Sequence, residues 1–161
     1  MAAKSSAKFE FSCIATVALA KKYPAWKEFS SLLRMTAYEV LLAEFHEVAE
    51  MKLGIVLQTD GELIELNRRA LGHDFYTDIL TFEIERTESA LEGGLYFSLD
   101  RARENALRYG VSLRNELARL AIHGILHLAG FSDKEPAAKK QMREKERFFL
   151  AYLQNERSIE Y

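Results

Sequence analysis

SLRNELARLAIHGILHLAGFSD, residues 112–133, is the stretch that orders the rest of the chain. Ser112 suits a helix N-cap, and Glu116 in the first turn suits the helix dipole. Leu117, Leu120, Ile122, Ile125, Leu126 and Leu128 carry the helix to Leu128 or Ala129, where Gly130 stops it. Inside it, His123 and His127 stand four apart. That spacing puts both imidazoles on one face, about one turn apart, within reach of one metal ion. Their neighbours are apolar, and imidazoles in such a setting need partners, because an unpaired buried polar group is costly. A shared metal would satisfy both; two ordinary half-buried histidines are the other reading. Gly124 sits mid-helix at a cost of about 1 kcal/mol relative to Ala, which makes sense where another segment must come close.

Asp133 follows His127 by six residues, after the Gly130 turn. It can return to the histidines as an oxygen ligand, or cap the next helix, which Asp133-Lys134-Glu135-Pro136 opens. Two imidazoles and a carboxylate make a catalytic type of zinc site, with the fourth position left to water. The zincin-like pattern H-E-x-x-H has a glutamate base after its first histidine, and here that position is Gly124. The metalloprotease reading therefore loses its base.

Outward from this helix, residues 8–17 read as a strand and a helix is expected from Pro24 to about Glu50. Lys52–Thr59 is a second strand, and Asp60 is expected to cap a helix through Ala70. Residues 78–84 alternate Ile79, Thr81, Glu83 against Leu80, Phe82, Ile84, a strand with one buried face. Leu95–Leu99 is a fourth strand, entered through Gly93-Gly94. Asp100 is expected to cap a helix that Gly110 ends. The order implies one α+β domain over residues 1–161, a small mixed four-stranded sheet with helices packed on it.

The chain has 161 residues, 48% apolar and 29% charged, with two Pro and eight Gly, an ordinary globular composition. Its one cysteine, Cys13, excludes an internal disulfide and a multi-cysteine zinc knuckle, and favours a reducing, cytoplasmic home. No apolar run reaches the length of a membrane span. Lys4 and Lys8 before Phe11–Ala20 resemble a short leader, but Glu10, Ser12 and Thr16 dilute that stretch, which reads mainly as strand. The net charge of −2 argues against a protein that wraps long nucleic acid. It is uneven, with −5 over residues 60–90 and +2 over residues 134–161.

His123-Gly-Ile-Leu-His127-Leu-Ala-Gly130-Phe131-Ser132-Asp133 resembles the H-G-x-L-H-L-x-G-[YF]-D-H signature of the YbeY family of rRNA maturation endoribonucleases. Leu66-Asn67, Asp74 and Thr77-Asp78-Ile79-Leu80-Thr81-Phe82 resemble that family's L-N…D-x-P-T-D-V-L-S-F stretch. Gly93–Ser98 resembles its G-D-I-x-I-S strand. Residues of about 55–147 are covered. The resemblance implies a zinc-dependent endoribonuclease selective for single-stranded RNA, acting in 16S rRNA 3′-end maturation and ribosome quality control. Its partners would be rRNA and the small ribosomal subunit, not DNA or a membrane. One Zn²⁺ per chain would be held by His123, His127 and Asp133, the catalytic centre. The family's third ligand is usually His; Asp133 resembles the Bacteroidetes-type variant. The family's Arg after L-N-x-x-[YF] is here Leu71, its Asp in G-D-I is Gly94, and its Pro before Thr-Asp is Tyr76.

Arg68, Arg69 and Arg114 are the candidate phosphate contacts, since the guanidinium matches phosphate geometry, although solvated helix faces place arginines in the same way. Phe75 and Tyr76 are candidates to stack on unpaired bases. His46 is expected late in a helix and His73 in a loop. Two other functions stay open. Leu71 and Gly94 would also suit a ribosome-associated binding factor with a vestigial metal site, and the metal motif would suit a metallohydrolase of another substrate.

Overall fold

The computed structural model describes residues 7–161; residues 1–6, including Lys4 and the start of the 1–161 span, lie outside the described residues. The elements run β1 (Lys8–Ala15), α1 (Val17–Lys22), a 3₁₀ turn (Trp26–Phe29), α2 (Ser30–Glu44), β2 (Glu50–Gln58) and α3 (Asp60–Leu71). They continue with β3 (Ile79–Arg86), β4 (Ala90–Ser98), α4 (Leu99–Tyr109), α5 (Leu113–Leu128) and α6 (Pro136–Glu156). The sheet order is β1-β2-β4-β3. β1, β2 and β4 run parallel, and β3 is antiparallel to β4. This is the α+β architecture with a mixed four-stranded sheet that the sequence implied.

β2 alternates cleanly, with Met51, Leu53, Ile55 and Leu57 buried. They join Leu95 and Phe97 of β4 in a core closed by Leu33, Val40 and Leu41 of α2 and by Leu117, Ile122 and Ile125 of α5. Each such side chain contributes about 1.5–3 kcal/mol on burial. Helix α5 is the spine, contacting α2, α4, α6, β3 and β4. Gly124 lets it lie close to the sheet. A Cβ there would come within 2.8 Å of Leu95 Cδ2, 2.9 Å of Ile79 Cδ1 and 3.0 Å of Thr81 Oγ1.

Several boundaries fall elsewhere than the sequence suggests. The expected helix from Pro24 to Glu50 is a turn, the 3₁₀ turn and α2, ending at Glu44; Glu50 opens β2. His46 therefore lies exposed in the connecting loop. Thr16 caps the short helix α1, which the strand-like apolar run conceals. Thr59 and Ser98, not Asp60 and Asp100, cap α3 and α4, each through its hydroxyl. A hydroxyl one residue earlier does the capping, and the aspartates take the first helical position. β4 starts at Ala90, five residues before the expected Leu95. In β3 the face carrying Ile79 and Thr81 meets α5, while Ile84 is 62% exposed. The more polar face of that strand is thus the one turned to the helix.

Among the described residues, no helix is long and apolar enough to cross a membrane. Phe11–Ala20 divides between β1 and α1.

Candidate metal centre

The last turn of α5 closes in a Schellman arrangement. Gly130 N–H donates to the His127 carbonyl and Phe131 N–H to the Leu126 carbonyl, both at 3.0 Å, with Gly130 at φ +96°. That reversal turns the chain back over the helix end. Phe131 then presents its carbonyl oxygen 2.9 Å from His127 Nδ1. A carbonyl only accepts, so His127 Nδ1 is the donor and the neutral ring offers a lone pair at Nε2. On α6, Glu146 Oε1 sits 2.7 Å from His123 Nδ1 and accepts from it in the same way. Both rings are held with Nε2 facing inward, and the two Nε2 atoms are 2.9 Å apart.

Asp133 completes the set. Its Oδ2 lies 3.4 Å from His123 Nε2 and 3.6 Å from His127 Nε2. It does not cap α6; Glu135 holds that position without a side-chain bond. One atom of each residue falls within 4.8 Å of the others. Three lone-pair donors converging, with both outer nitrogens already committed to acceptors, are a donor set for a cation. Two nitrogens and one oxygen with an open side suit zinc.

The open side faces a cleft of about 910 Å³. Leu71, His73, Asp78 just before β3, Thr81 and Glu83 of β3, Arg119 and Lys134 line it together with the three donors. His73 stacks on Phe75, with centroids 5.1 Å apart. Tyr76 is 56% exposed under the guanidinium of Arg101.

Beneath the cleft runs a connected polar chain. Asn105 Nδ2 donates to Asp78 Oδ2 at 3.0 Å and to Glu116 Oε1 at 3.3 Å. Arg119 donates to both oxygens of Glu116, at 2.7 and 2.9 Å, and lies 3.5 Å from Glu146, the partner of His123. Burial disfavours the Arg119 charge, but the Glu116 hydrogen bonds and the carboxylates of Glu116, Glu146 and Asp78 outweigh it, and its pKa rises.

The structure brings His123, His127 and Asp133 together and leaves three other candidates apart. Arg68 is paired with Glu65 and Asp74, and Arg69 donates weakly to the Glu65 carbonyl. Arg114 donates to the Glu160 carbonyl at 2.9 Å. None of the three lines the cleft. Gly94 lies in a depression on the sheet with Glu10, Ser12, Lys52 and Tyr96, also away from it. Cys13 is half-buried, and burial pushes its thiol pKa up.

Sequence reasoning passed over Arg119 and Glu146. Both carry a legible signal. Arg119 precedes His123 by four, on the same helical face. Glu146 stands four after Met142 and three before Phe149, a carboxylate on an otherwise apolar stripe, and it is only 6% exposed.

Fold and site together define an α+β protein with a His-His-Asp cluster that could hold a metal ion at the end of a two-histidine helix. The family model described as Endoribonuclease YbeY matches residues 20–154. The chain belongs to that family, and so to the nuclease hydrolases. An Endoribonuclease YbeY of Cytophaga hutchinsonii is 36% identical over 105 residues, spanning 65% of this chain and 73% of its own. One of Bacteroides thetaiotaomicron is 42% identical over 100 residues, spanning 62% and 72%. One of Chlorobium phaeobacteroides is 43% identical over 109 residues, spanning 59% and 76%. The solution structure of TM1509 from Thermotoga maritima superposes with a TM-score of 0.59 at 25% identity, covering 91% of this chain and 90% of that one.

Proposed function

We propose that the protein is a zinc-dependent endoribonuclease that cuts single-stranded RNA, with the 3′ end of 16S rRNA as its substrate and the small ribosomal subunit as its partner in the cytoplasm. In this role it serves rRNA maturation and ribosome quality control. Membership of the endoribonuclease family supports the reaction class. The observation that carries the metal dependence is the convergence of His123 Nε2, His127 Nε2 and Asp133 Oδ2 beside one cleft.

His123, His127 and Asp133 would hold the ion, one per chain. When bound, zinc supplies Lewis acidity for phosphodiester hydrolysis. The remaining work falls to the protein's own groups. Glu146 and the Phe131 carbonyl fix the two rings so that Nε2 points inward. Glu116 and Arg119 brace Glu146 from behind. Lys134 supplies positive charge along the cleft, against Asp78 and Glu83, while the Arg119 charge is spent on Glu116 and Glu146. His73 and Phe75 offer a stacked aromatic edge to unpaired bases. With Leu71 at the edge, the arginine of the family pattern is missing there, and Lys134, which makes no ion pair among the described residues, is left to meet phosphate charge.

The test is a zinc measurement on the purified protein, followed by cleavage of single-stranded and double-stranded RNA. One equivalent of zinc and cleavage of the single strand alone is the expected result. A metal-free protein that cleaves equally well would overturn the reading. Activity on peptides but not RNA would favour a metallohydrolase of another class.

A further inference from the structure

A second depression of about 690 Å³ adjoins the metal cleft, sharing Tyr109 and Arg119 with it. It runs between the first turns of α5 and the middle of α6. Its rim carries Asn115, Arg143 and Arg147, with Leu150 at its base. Glu116 and Glu146 also line it, but both are buried and turned to Arg119 and His123. Arg143 and Arg147 are exposed, and among the described residues neither makes an ion pair. They stand four apart on one helical face, an arrangement of like charges that mildly disfavours the helix. Tyr109, 57% exposed, lines both depressions. The result is a groove with two unpaired guanidinium groups and an exposed ring, leading away from the metal centre. It also places part of the +2 charge of residues 134–161 beside the site.

We infer that this groove is a subsite for single-stranded RNA. Arg143 and Arg147 pair with phosphates remote from the scissile one, and Tyr109 stacks on a base between them and the metal. The inference rests on the endoribonuclease reading and extends it to substrate length. Arg143 and Arg147 stand three residues before and one after Glu146, the partner of His123, so the groove opens within about one helical turn of the metal site, and the strand must run on past the scissile phosphate to engage both arginines. Guanidinium groups suit this role because they match phosphate geometry, and aromatic stacking tolerates any base.

The test is fluorescence anisotropy with 2′-O-methyl oligoribonucleotides, a trinucleotide and a strand of about twelve nucleotides. The wild-type zinc protein is expected to bind the longer strand at least about tenfold tighter. In R143Q/R147Q that advantage is lost, and the slope of log affinity against log salt shrinks by about 1.4, the value for two phosphates on a single strand. Affinity for the trinucleotide and zinc content stay as they were. R143K/R147K keeps the charge and so keeps the slope. Circular dichroism verifies the fold of both exposed-site variants. Wild-type affinity and slope in R143Q/R147Q would overturn the groove and leave the nuclease reading standing. Equal losses for both strand lengths would also overturn it. A wild-type protein that binds neither strand would sink both.

Discussion

Two polar clusters in this protein use the same carboxylate chemistry and reach opposite outcomes. At the N-termini of α3 and α4, Asp60 and Asp100 are met by donors on every side. Asp60 accepts from Ser98 Oγ at 3.0 Å and Arg101 Nη2 at 2.8 Å. Asp100 accepts from the Asp60 amide at 2.9 Å, Tyr23 Oη at 2.5 Å and Lys22 Nζ at 2.6 Å. At the end of α5, Asp133 meets two imidazole nitrogens whose lone pairs face it. Their protons are spent outward, on Glu146 and on Phe131. A cluster closed by donors holds the fold together, whereas a cluster of converging acceptors needs a cation at its centre. Both groups are built around carboxylates; their neighbours differ, cationic and hydroxyl donors in one and inward-facing imidazole nitrogens in the other.

Removing a ligand should separate the clusters most sharply. On the proposed zinc-endoribonuclease reading, His127→Ala is expected to lose metal binding and at least about a thousandfold in RNA cleavage, a loss of about 4 kcal/mol in transition-state stabilisation. Metal analysis and a cleavage assay check it, and unchanged values in both would break the contrast. Glu146→Gln keeps the ligands but weakens the hold on His123 Nδ1. Zinc affinity should fall about 10- to 100-fold, measured by competition with a chelator. The closed cluster should respond in the other currency. Asp100→Ala is expected to cost about 2 kcal/mol in urea unfolding while zinc affinity stays at the wild-type value.

The pH dependence of stability follows from the same cluster. Burial disfavours the Asp100 charge, but Lys22, Tyr23 and the Asp60 amide outweigh it and lower its pKa. Burial likewise opposes the Glu62 charge, and hydrogen bonds from Thr16 and Thr59 outweigh that. Folded values below the unfolded ones mean that both contributions are full above about pH 4. They are lost as the pH falls through the lower folded values. Urea midpoints measured against pH should therefore drop on acidification, and less steeply in Asp100→Asn. The smallest expected effect is that of Gly124→Ala. A Cβ must displace Leu95, Ile79 and Thr81, at about 1–3 kcal/mol, against about 1 kcal/mol of gained helix propensity. A net loss of about 1 kcal/mol is expected, read as a lower urea midpoint; a stabilised variant would show that α5 has room to move off the sheet.

Much of the site was legible where one segment decides. His123 and His127 face the same way because both ride one helix, and Gly124 announced the close approach that Ile79 and Leu95 make. Asp133 was ambiguous between ligand and cap, because that choice depends on where α6 begins. Glu135 takes the cap and leaves the aspartate to turn inward. The helix caps were misplaced by one residue, since Thr59 and Ser98 compete with the following aspartates for the same amides. The short α1 was masked by an apolar run that reads equally well as strand.

The sequence by itself determined the paired imidazoles, the turn at Gly130 and the existence of β2, because each depends on hydrogen bonds and residue pattern within one segment. Only the tertiary structure decided that Glu146 reaches His123 from 23 residues away. It alone decided that Arg119 braces that carboxylate, and that the more polar face of β3 turns toward α5. Those placements depend on how α6 and the sheet pack around α5, and packing depends on the shape of many side chains at once rather than on the order of a few.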